Sequence, residues 1–311
     1  NNSKMPHADF EASINKADLK GLNIIKNDSV SILSAEITAN MVGFDPDKME
    51  GSLSIDNTHY ISGKGHHEMN HLDANIENDN LMQRRININC DFFTYEMAGL
   101  IDFASLPLAF KAYLDTYADI PKWHEDIQQY IKKKNKKEQD FFIKMNINNP
   151  DPITQLLLPQ LQVAKNTTLN GTFTSRTNMF SLTLRSKAVR FNDILIDNFE
   201  YKHYTTLRSS VARFSIDDLV LRDSTKHDTS RINLENLVFE NALRNDSIYA
   251  NLRWDDKGSI SHNRADIHTS FVPTETGGRF NIYSTDLTIN DSVWSINPLN
   301  YIVFDDKKID I

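Results

Sequence analysis

One stretch of the sequence decides the fold class: Ile248-Tyr249-Ala250-Asn251-Leu252-Arg253-Trp254. Apolar and polar side chains alternate along it. Successive side chains of a β-strand point to opposite faces, so the pattern predicts a strand with one apolar and one hydrated face. The same alternation occurs at residues 71–77, 86–92 and 180–185. The chain is therefore predicted to be mainly β.

Turn signals between such stretches indicate antiparallel hairpins. Pairs of Asn and Asp punctuate the strands at Asn27-Asp28, Asp56-Asn57, Asn192-Asp193, Asn245-Asp246, Asp255-Asp256, Asn290-Asp291 and Asp305-Asp306. These residues favour tight turns because their short polar side chains bond to the nearby backbone. At Asp217-Asp218 the apolar alternation changes phase, which predicts an inserted residue, a β-bulge that bends the strand. Repeated bends predict a curved, partly open sheet.

The middle of the chain is predicted to be helical. Gly is absent between Gly99 and Gly171, and five prolines lie there: Pro107, Pro121, Pro150, Pro152 and Pro159. Ser105 is a predicted N-cap, and apolar residues up to Tyr117 follow at helical spacing. A second helix is predicted after Pro121, and a short third helix from Asp151.

The second predicted helix ends in a lysine-rich run at residues 132–137. A solvated C-terminal turn is the expected role of this run, with contact to anionic headgroups as the alternative. The predicted organisation is a β segment at 1–104, a helical insert with a short connecting strand at 105–160, and a β segment at 161–311.

Charge and composition exclude several classes of function. The chain has 34 Lys and Arg against 42 Asp and Glu, and this net charge of −8 disfavours nucleic acid as a partner. No apolar run reaches the roughly 18 residues of a bilayer span, and the first ten residues do not resemble a signal peptide. We expect an excised segment of a longer protein. The single cysteine, Cys90, lies in an alternating stretch and is expected to fill core.

The sharpest chemical motif is His67-Glu68-Met69-Asn70-His71, which matches H-E-x-x-H. On a helix its histidines would bind zinc while Glu68 activated water, as in a metallopeptidase. The neighbouring alternation favours a strand instead, on which the two rings share a face but lie about 13 Å apart, too far to share one ion. Solvent-facing histidines are expected. No catalytic residue, metal or cofactor is predicted, and a zinc metallopeptidase is kept as a distant alternative.

The aromatic residues of the strands leave two alternatives open. They fill an ordinary packed core, or they line an apolar trough in a single curved layer. The residues concerned are Trp254, Phe280, Trp294 and Tyr301. The apolar share of the chain, 40% before glycine is counted, is slightly low for a two-sided core, so a thin architecture is possible.

Several stretches carry a resemblance to a known family: Leu252-Arg253-Trp254, FNIYSTDLTINDSVWSI at 280–296, IVFDDKKIDI at 302–311, LLLPQL at 156–161, LNGTF at 169–173, and residues 91–102 leading into the first helix. In these stretches the chain resembles the TamB proteins of Bacteroidetes-type bacteria. The resemblance covers most of the chain and includes no catalytic signature.

The resemblance implies a middle segment of a long periplasmic protein related to AsmA-like proteins, with its inner-membrane anchor outside this chain. In that family a long, curved, mostly antiparallel sheet forms a half-pipe, the β-taco, whose apolar interior is thought to carry phospholipid toward the outer membrane. Some members act with an Omp85-type outer-membrane β-barrel, TamA, in protein assembly. The helical insert from Ser105 to about Glu138 departs from an uninterrupted half-pipe.

The resemblance thus implies a non-enzymatic apolar groove for phospholipid acyl chains, and the one-sided strand pattern suits such a groove, because lipid can supply the second layer that protein does not. A scaffold for outer-membrane protein assembly with the Omp85-type partner is the alternative. The predicted groove wall is the apolar phase of the C-terminal strands: Phe180, Leu182, Leu184, Phe214, Ile216, Ile248, Leu252, Trp254, Phe280, Ile282, Leu287 and Ile289.

Overall fold

The computed structural model describes residues 6–25, 29–78, 83–117, 123–132, 138–222, 231–256, 262–274, 277–305 and 309–310. The 19 strands of these residues form a large antiparallel sheet that does not close on itself. This confirms the predicted mainly β, mostly antiparallel fold with an inserted helical segment. The chain divides into two compact units: unit 1 comprises residues 1–104 and 141–170, and unit 2 comprises residues 105–140 and 171–311.

The elements follow one another along the chain with these bounds: β1 (His7–Asp18), β2 (Ser31–Val42), β3 (Glu50–Ser62), β4 (Gly65–Asn78), β5 (Arg84–Cys90), β6 (Phe93–Leu100), α1 (Leu106–Asp115), α2 (His124–Lys132), β7 (Asp140–Ile147), α3 (Asp151–Leu157), β8 (Leu161–Val163), β9 (Thr167–Thr174), β10 (Met179–Phe191), β11 (Ile194–Thr205), β12 (Ser210–Arg222), β13 (Arg231–Arg244), β14 (Ser247–Asp256), β15 (Asn263–Pro273), β16 (Gly277–Ile289), β17 (Ser292–Trp294), β18 (Tyr301–Asp305) and β19 (Ile309–Asp310).

In unit 1 the strands β1 to β6 form a meander in which each strand pairs with the next. Apolar residues face each other across these pairs, for example in the row Phe10, Ala39, Leu53, Ala74, Ile88 and Tyr95. Cys90 is buried opposite Leu72, as expected for a residue of the apolar face. The register shifts between Ile14 and Ala17 where β1 pairs with β2, which bends that pair locally.

In unit 2 the strands β10 to β16 repeat the same meander. The predicted turns at Asn192-Asp193, Asn245-Asp246 and Asn290-Asp291 are present between paired strands. Asn245 and Asp246 have φ of 51° and 54°, the left-handed values that a tight hairpin turn requires.

Other predicted turns are wrong or untested. Asp56-Asn57 lies inside β3, because Asn57 takes a left-handed φ of 49° without ending the strand. Asp255-Asp256 forms the last two residues of β14. Asn27-Asp28 and Asp306 fall outside the described residues.

The bulge predicted at Asp217-Asp218 is also wrong. Asp218 faces Asp197 on one side and Glu235 on the other, and no register shift accompanies either pairing. The neighbouring strands carry left-handed asparagines at the level of Asp217, Asn198 with φ of 50° and Asn236 with φ of 52°. The apolar alternation of β12 therefore changes phase next to left-handed asparagines in β11 and β13, and β12 itself contains no extra residue.

The predicted helices are present. Helix α1 begins after Ser105 with Pro107 in its first turn, although the Ser105 side chain makes no capping hydrogen bond to the helix. Helix α3 begins at Asp151 with Pro152 in its first turn. Lys132 ends α2, and the rest of the lysine run lies outside the described residues. Among the helices described, none has the length and hydropathy to cross a bilayer.

Candidate apolar groove of unit 2

The register of unit 2 lines up apolar side chains across six consecutive strands, β10 to β15. Each member of this row faces the next directly: Leu184, Tyr201, Phe214, Phe239, Leu252 and Ile267. Directly opposed residues of an antiparallel pair share a face of the sheet. At about 4.8 Å per strand, the row extends roughly 24 Å along the sheet. We call these six residues the open row.

Two shorter rows lie on the same face. One joins Ile248, Phe271, Phe280 and Ile302, and the other joins Trp254, Ala265, Leu287 and Trp294. Residues two apart on a strand share a face. In β16 the register shifts opposite His268 and Thr269, so Leu287 and Ile289 return to the side of Phe280 and Ile282. The register therefore places all twelve predicted groove residues on one side of the unit 2 sheet. We call this side the apolar face.

The twelve predicted residues are mostly half-buried. Ile216 is buried, with 9% of its surface exposed, and Ile289 is exposed, with 41%. The other ten are half-buried. Neighbouring aromatic rings contact one another, with centroids 4.7 Å apart for Tyr201 and Phe214 and 6.2 Å apart for Phe214 and Phe239. The side chains of the apolar face therefore support each other laterally while keeping part of their surface accessible.

Helix α1 covers one end of this face. The Phe110 ring lies 5.3 Å from Phe173 and 4.8 Å from Phe180, centroid to centroid. Tyr113 packs against the same two rings and against His203. We call the five residues Phe110, Tyr113, Phe173, Phe180 and His203 the capped end. Phe180, a predicted groove residue, is thus packed against a helix.

A polar network anchors the helix to the sheet. The Tyr113 hydroxyl lies 2.9 Å from His203 Nε2, 2.9 Å from Thr205 Oγ1 and 2.8 Å from Ser210 Oγ. Ser210 Oγ is also 2.9 Å from His203 Nε2. Burial lowers the pKa of His203 to about 4 and raises the pKa of Tyr113. Both side chains are therefore neutral at pH 7, which suits a network enclosed by aromatic rings.

The opposite face of unit 2 is charged. Glu200 forms ion pairs with Lys202 at 2.7 Å and Arg185 at 2.6 Å, and both cations lower the pKa of its carboxyl group. Arg264 and Asp286 form another pair at 3.2 Å. Such exposed pairs contribute little to stability, but they keep this face in water.

Comparison with known proteins adds no site residue, since no family model, curated protein or solved structure matches the chain. The structure itself adds residues of the apolar face that the sequence analysis missed: Tyr201, His203, Phe239, Ile267 and Phe271. Tyr201 and His203 follow the alternation from Phe199 and were detectable in the sequence. Phe239 was harder to assign because Asn241, two residues on, interrupts the apolar phase.

The H-E-x-x-H motif of unit 1 lies on strand β4, so it lacks the helical spacing of a zinc peptidase site. His67 stacks on Tyr60 and lies 3.3 Å from Ser62 Oγ. His71 lies between two carboxylates, with Nδ1 2.6 Å from Asp56 and Nε2 2.5 Å from Asp73. The hydrogen bonds to Asp56 and Asp73 raise the pKa of His71. The two histidines of the motif thus have separate partners.

Proposed function

We propose that the apolar face of unit 2 is a groove that binds phospholipid acyl chains, in a non-enzymatic segment of a TamB-like periplasmic protein that moves lipid between the inner and outer membranes. The observation that supports this proposal is the open row, six apolar side chains in register with none fully buried. An apolar surface of this extent on a soluble chain is typical of a ligand or partner site.

Favourable binding of an acyl chain to the apolar face needs no specific contact. Transfer of one CH₂ group from water to an apolar site contributes about 0.8 kcal/mol, so a chain of about 16 carbons contributes on the order of 10 kcal/mol. The extent of the open row, roughly 24 Å along the sheet, matches an elongated ligand better than a compact one. Aromatic and branched side chains suffice to line such a site, and titrating groups are unnecessary.

The capped end limits where lipid binds. Phe173 is 1% exposed and Tyr113 is 0% exposed, so an acyl chain cannot contact them while α1 stays in place. The proposed groove therefore comprises the open row and the two shorter rows, and it excludes Phe180. In the proposed full-length protein an inner-membrane anchor and any contact with an Omp85-type β-barrel belong to other segments.

Lipid content tests this proposal. The full chain is purified from cells and examined by native mass spectrometry and lipid extraction, alongside Leu252→Asp in the open row. A matched control is Arg253→Asp, the next residue, which lies on the charged face. We expect phospholipid with the unmodified chain and with Arg253→Asp, and at least a fivefold loss with Leu252→Asp, because a carboxylate in the row disfavours acyl contact.

Two other outcomes would contradict the proposed lipid groove. Absence of co-purifying lipid from the unmodified chain, together with capture of an outer-membrane β-barrel, would support the assembly scaffold instead. Equal lipid loss in Leu252→Asp and Arg253→Asp would show that the apolar face is not the binding surface.

A further inference from the structure

Three side chains with metal-binding atoms meet on the β3–β4 hairpin of unit 1. His59 of β3 is the direct cross-strand partner of Glu68 in β4. His66 lies two residues before Glu68 on the same strand and therefore on the same face. The ligand atoms of the three residues all lie within 4.8 Å of one another.

The carboxylate is placed between the two imidazoles. Glu68 Oε1 lies 3.5 Å from His59 Nδ1 and 3.7 Å from His66 Nδ1. The two rings stack with centroids 5.8 Å apart and planes 20° from parallel. The side chains are 52%, 52% and 60% exposed for His59, His66 and Glu68, so solvent ions reach them directly and their side-chain torsions can adjust.

We propose that His59, His66 and Glu68 form a binding site for a divalent transition-metal ion, with Zn²⁺ as the reference ion. Zinc bonds to imidazole nitrogen at 2.0–2.1 Å and to carboxylate oxygen at 2.0–2.2 Å, so two ligand atoms of a tetrahedral site lie about 3.3 Å apart. The two distances to Glu68 Oε1 already approach this value. Two imidazoles and one carboxylate also suit Cu²⁺ and Ni²⁺, whereas Ca²⁺ and Mg²⁺ prefer oxygen ligands.

The site uses only one residue of the H-E-x-x-H pattern in the role of a ligand. His71 is engaged at both ring nitrogens by Asp56 and Asp73, and His67 bonds to Ser62 and stacks on Tyr60. On a strand, residues two apart share a face, and a directly opposed residue of the next strand joins them there. His66 and Glu68 are two apart on β4, and His59 is the directly opposed residue on β3. An ion bound there joins β3 to β4 close to the turn between Ser62 and Gly65.

Isothermal titration calorimetry with ZnCl₂ tests the site on the full 311-residue chain, carrying no affinity tag and pretreated with a chelator. We expect one zinc ion per chain. His66→Ala and Glu68→Gln should each weaken zinc affinity at least tenfold, because each substitution removes or weakens one of the three protein ligands of the site. The matched control is His67→Ala, a substitution at the adjacent position of the same strand, which should change affinity less than twofold.

A second readout separates loss of the site from loss of the fold. Zinc at one fixed concentration should raise the melting temperature of the unmodified chain and of His67→Ala by similar amounts, and that of His66→Ala by a smaller amount. Failure of the unmodified chain to bind zinc, or equal loss of affinity in His66→Ala and His67→Ala, would overturn the proposal.

Discussion

The capped end and the open row of unit 2 differ in what covers them, although the same strands contribute to both. Strands β10 and β11 supply Phe180 and His203 to the capped end and Leu184 and Tyr201 to the open row. Aromatic rings of helix α1 pack against the first pair, of which His203 is buried and Phe180 is half-buried. Both residues of the second pair are half-buried. Alternation therefore defines an apolar face, and an element distant in sequence decides which part of it becomes core.

The two regions should differ most in how much free energy of unfolding is lost when an aromatic ring is removed. Phe173 is 1% exposed at the capped end, so Phe173→Ala should destabilise unit 2 by about 3–5 kcal/mol, the usual cost for a fully enclosed ring. Phe239→Ala in the open row should cost about 1–2 kcal/mol, because the ring is half-buried and leaves a smaller cavity. Urea unfolding of both variants measures the two free energies of unfolding.

Equal losses of unfolding free energy in Phe173→Ala and Phe239→Ala would contradict the difference between the capped end and the open row. A loss above about 3 kcal/mol for Phe239→Ala would mean that the open row is enclosed as tightly as the capped end, and the groove would then be an ordinary packed core.

The next largest effect is a pH dependence of stability that arises from His203 at the capped end. The pKa of His203 is about 4 in the folded chain, below its ordinary value of 6.5, because burial disfavours the charged form. Between these values the unfolded chain binds a proton that the folded chain does not, so stability falls as pH decreases from 6.5 to 4. The expected contribution is about 3 kcal/mol, given 1.36 kcal/mol for each pKa unit.

The comparison variant is His203→Gln, which keeps a polar side chain near Tyr113 and Ser210 but cannot titrate. The difference in unfolding free energy between the unmodified chain and this variant should shrink as pH falls from 7 to 4. Tyr113 and Tyr201, the neighbouring titratable groups, have raised pKa values and stay neutral throughout this range. A difference that stays constant with pH would show that His203 is not held neutral by the cap.

The sequence predicts the strands and their apolar phase well, because a period of two residues follows directly from strand geometry. It also predicts the helices, from Ser105, Pro107 and the helical spacing that follows them. It does not predict that Phe110 and Tyr113 pack on Phe173 and Phe180, since nothing local in any of these segments specifies its partner. It also misassigns Asp56-Asn57, because a left-handed asparagine can end a strand or continue it, and the neighbouring strands decide which.

The smallest expected effect concerns charge in the open row. Leu252 faces Phe239 on one side and Ile267 on the other, and all three are half-buried. If the row faces water when lipid is absent, the carboxylate of Leu252→Asp stays hydrated, and the variant should lose only about 1 kcal/mol, mainly through lower β-propensity. The same substitution at a site enclosed by protein would bury an unpaired charge and cost several kcal/mol of stability.

Leu182 is a poorer position for this test, because it faces His203 of the capped end. A thermal midpoint of Leu252→Asp within a few degrees of the unmodified chain therefore indicates an open face, whereas a collapsed midpoint indicates a packed core. A near-normal midpoint combined with unchanged lipid content would place the lipid away from Leu252, so the two measurements together separate an open surface from an occupied groove.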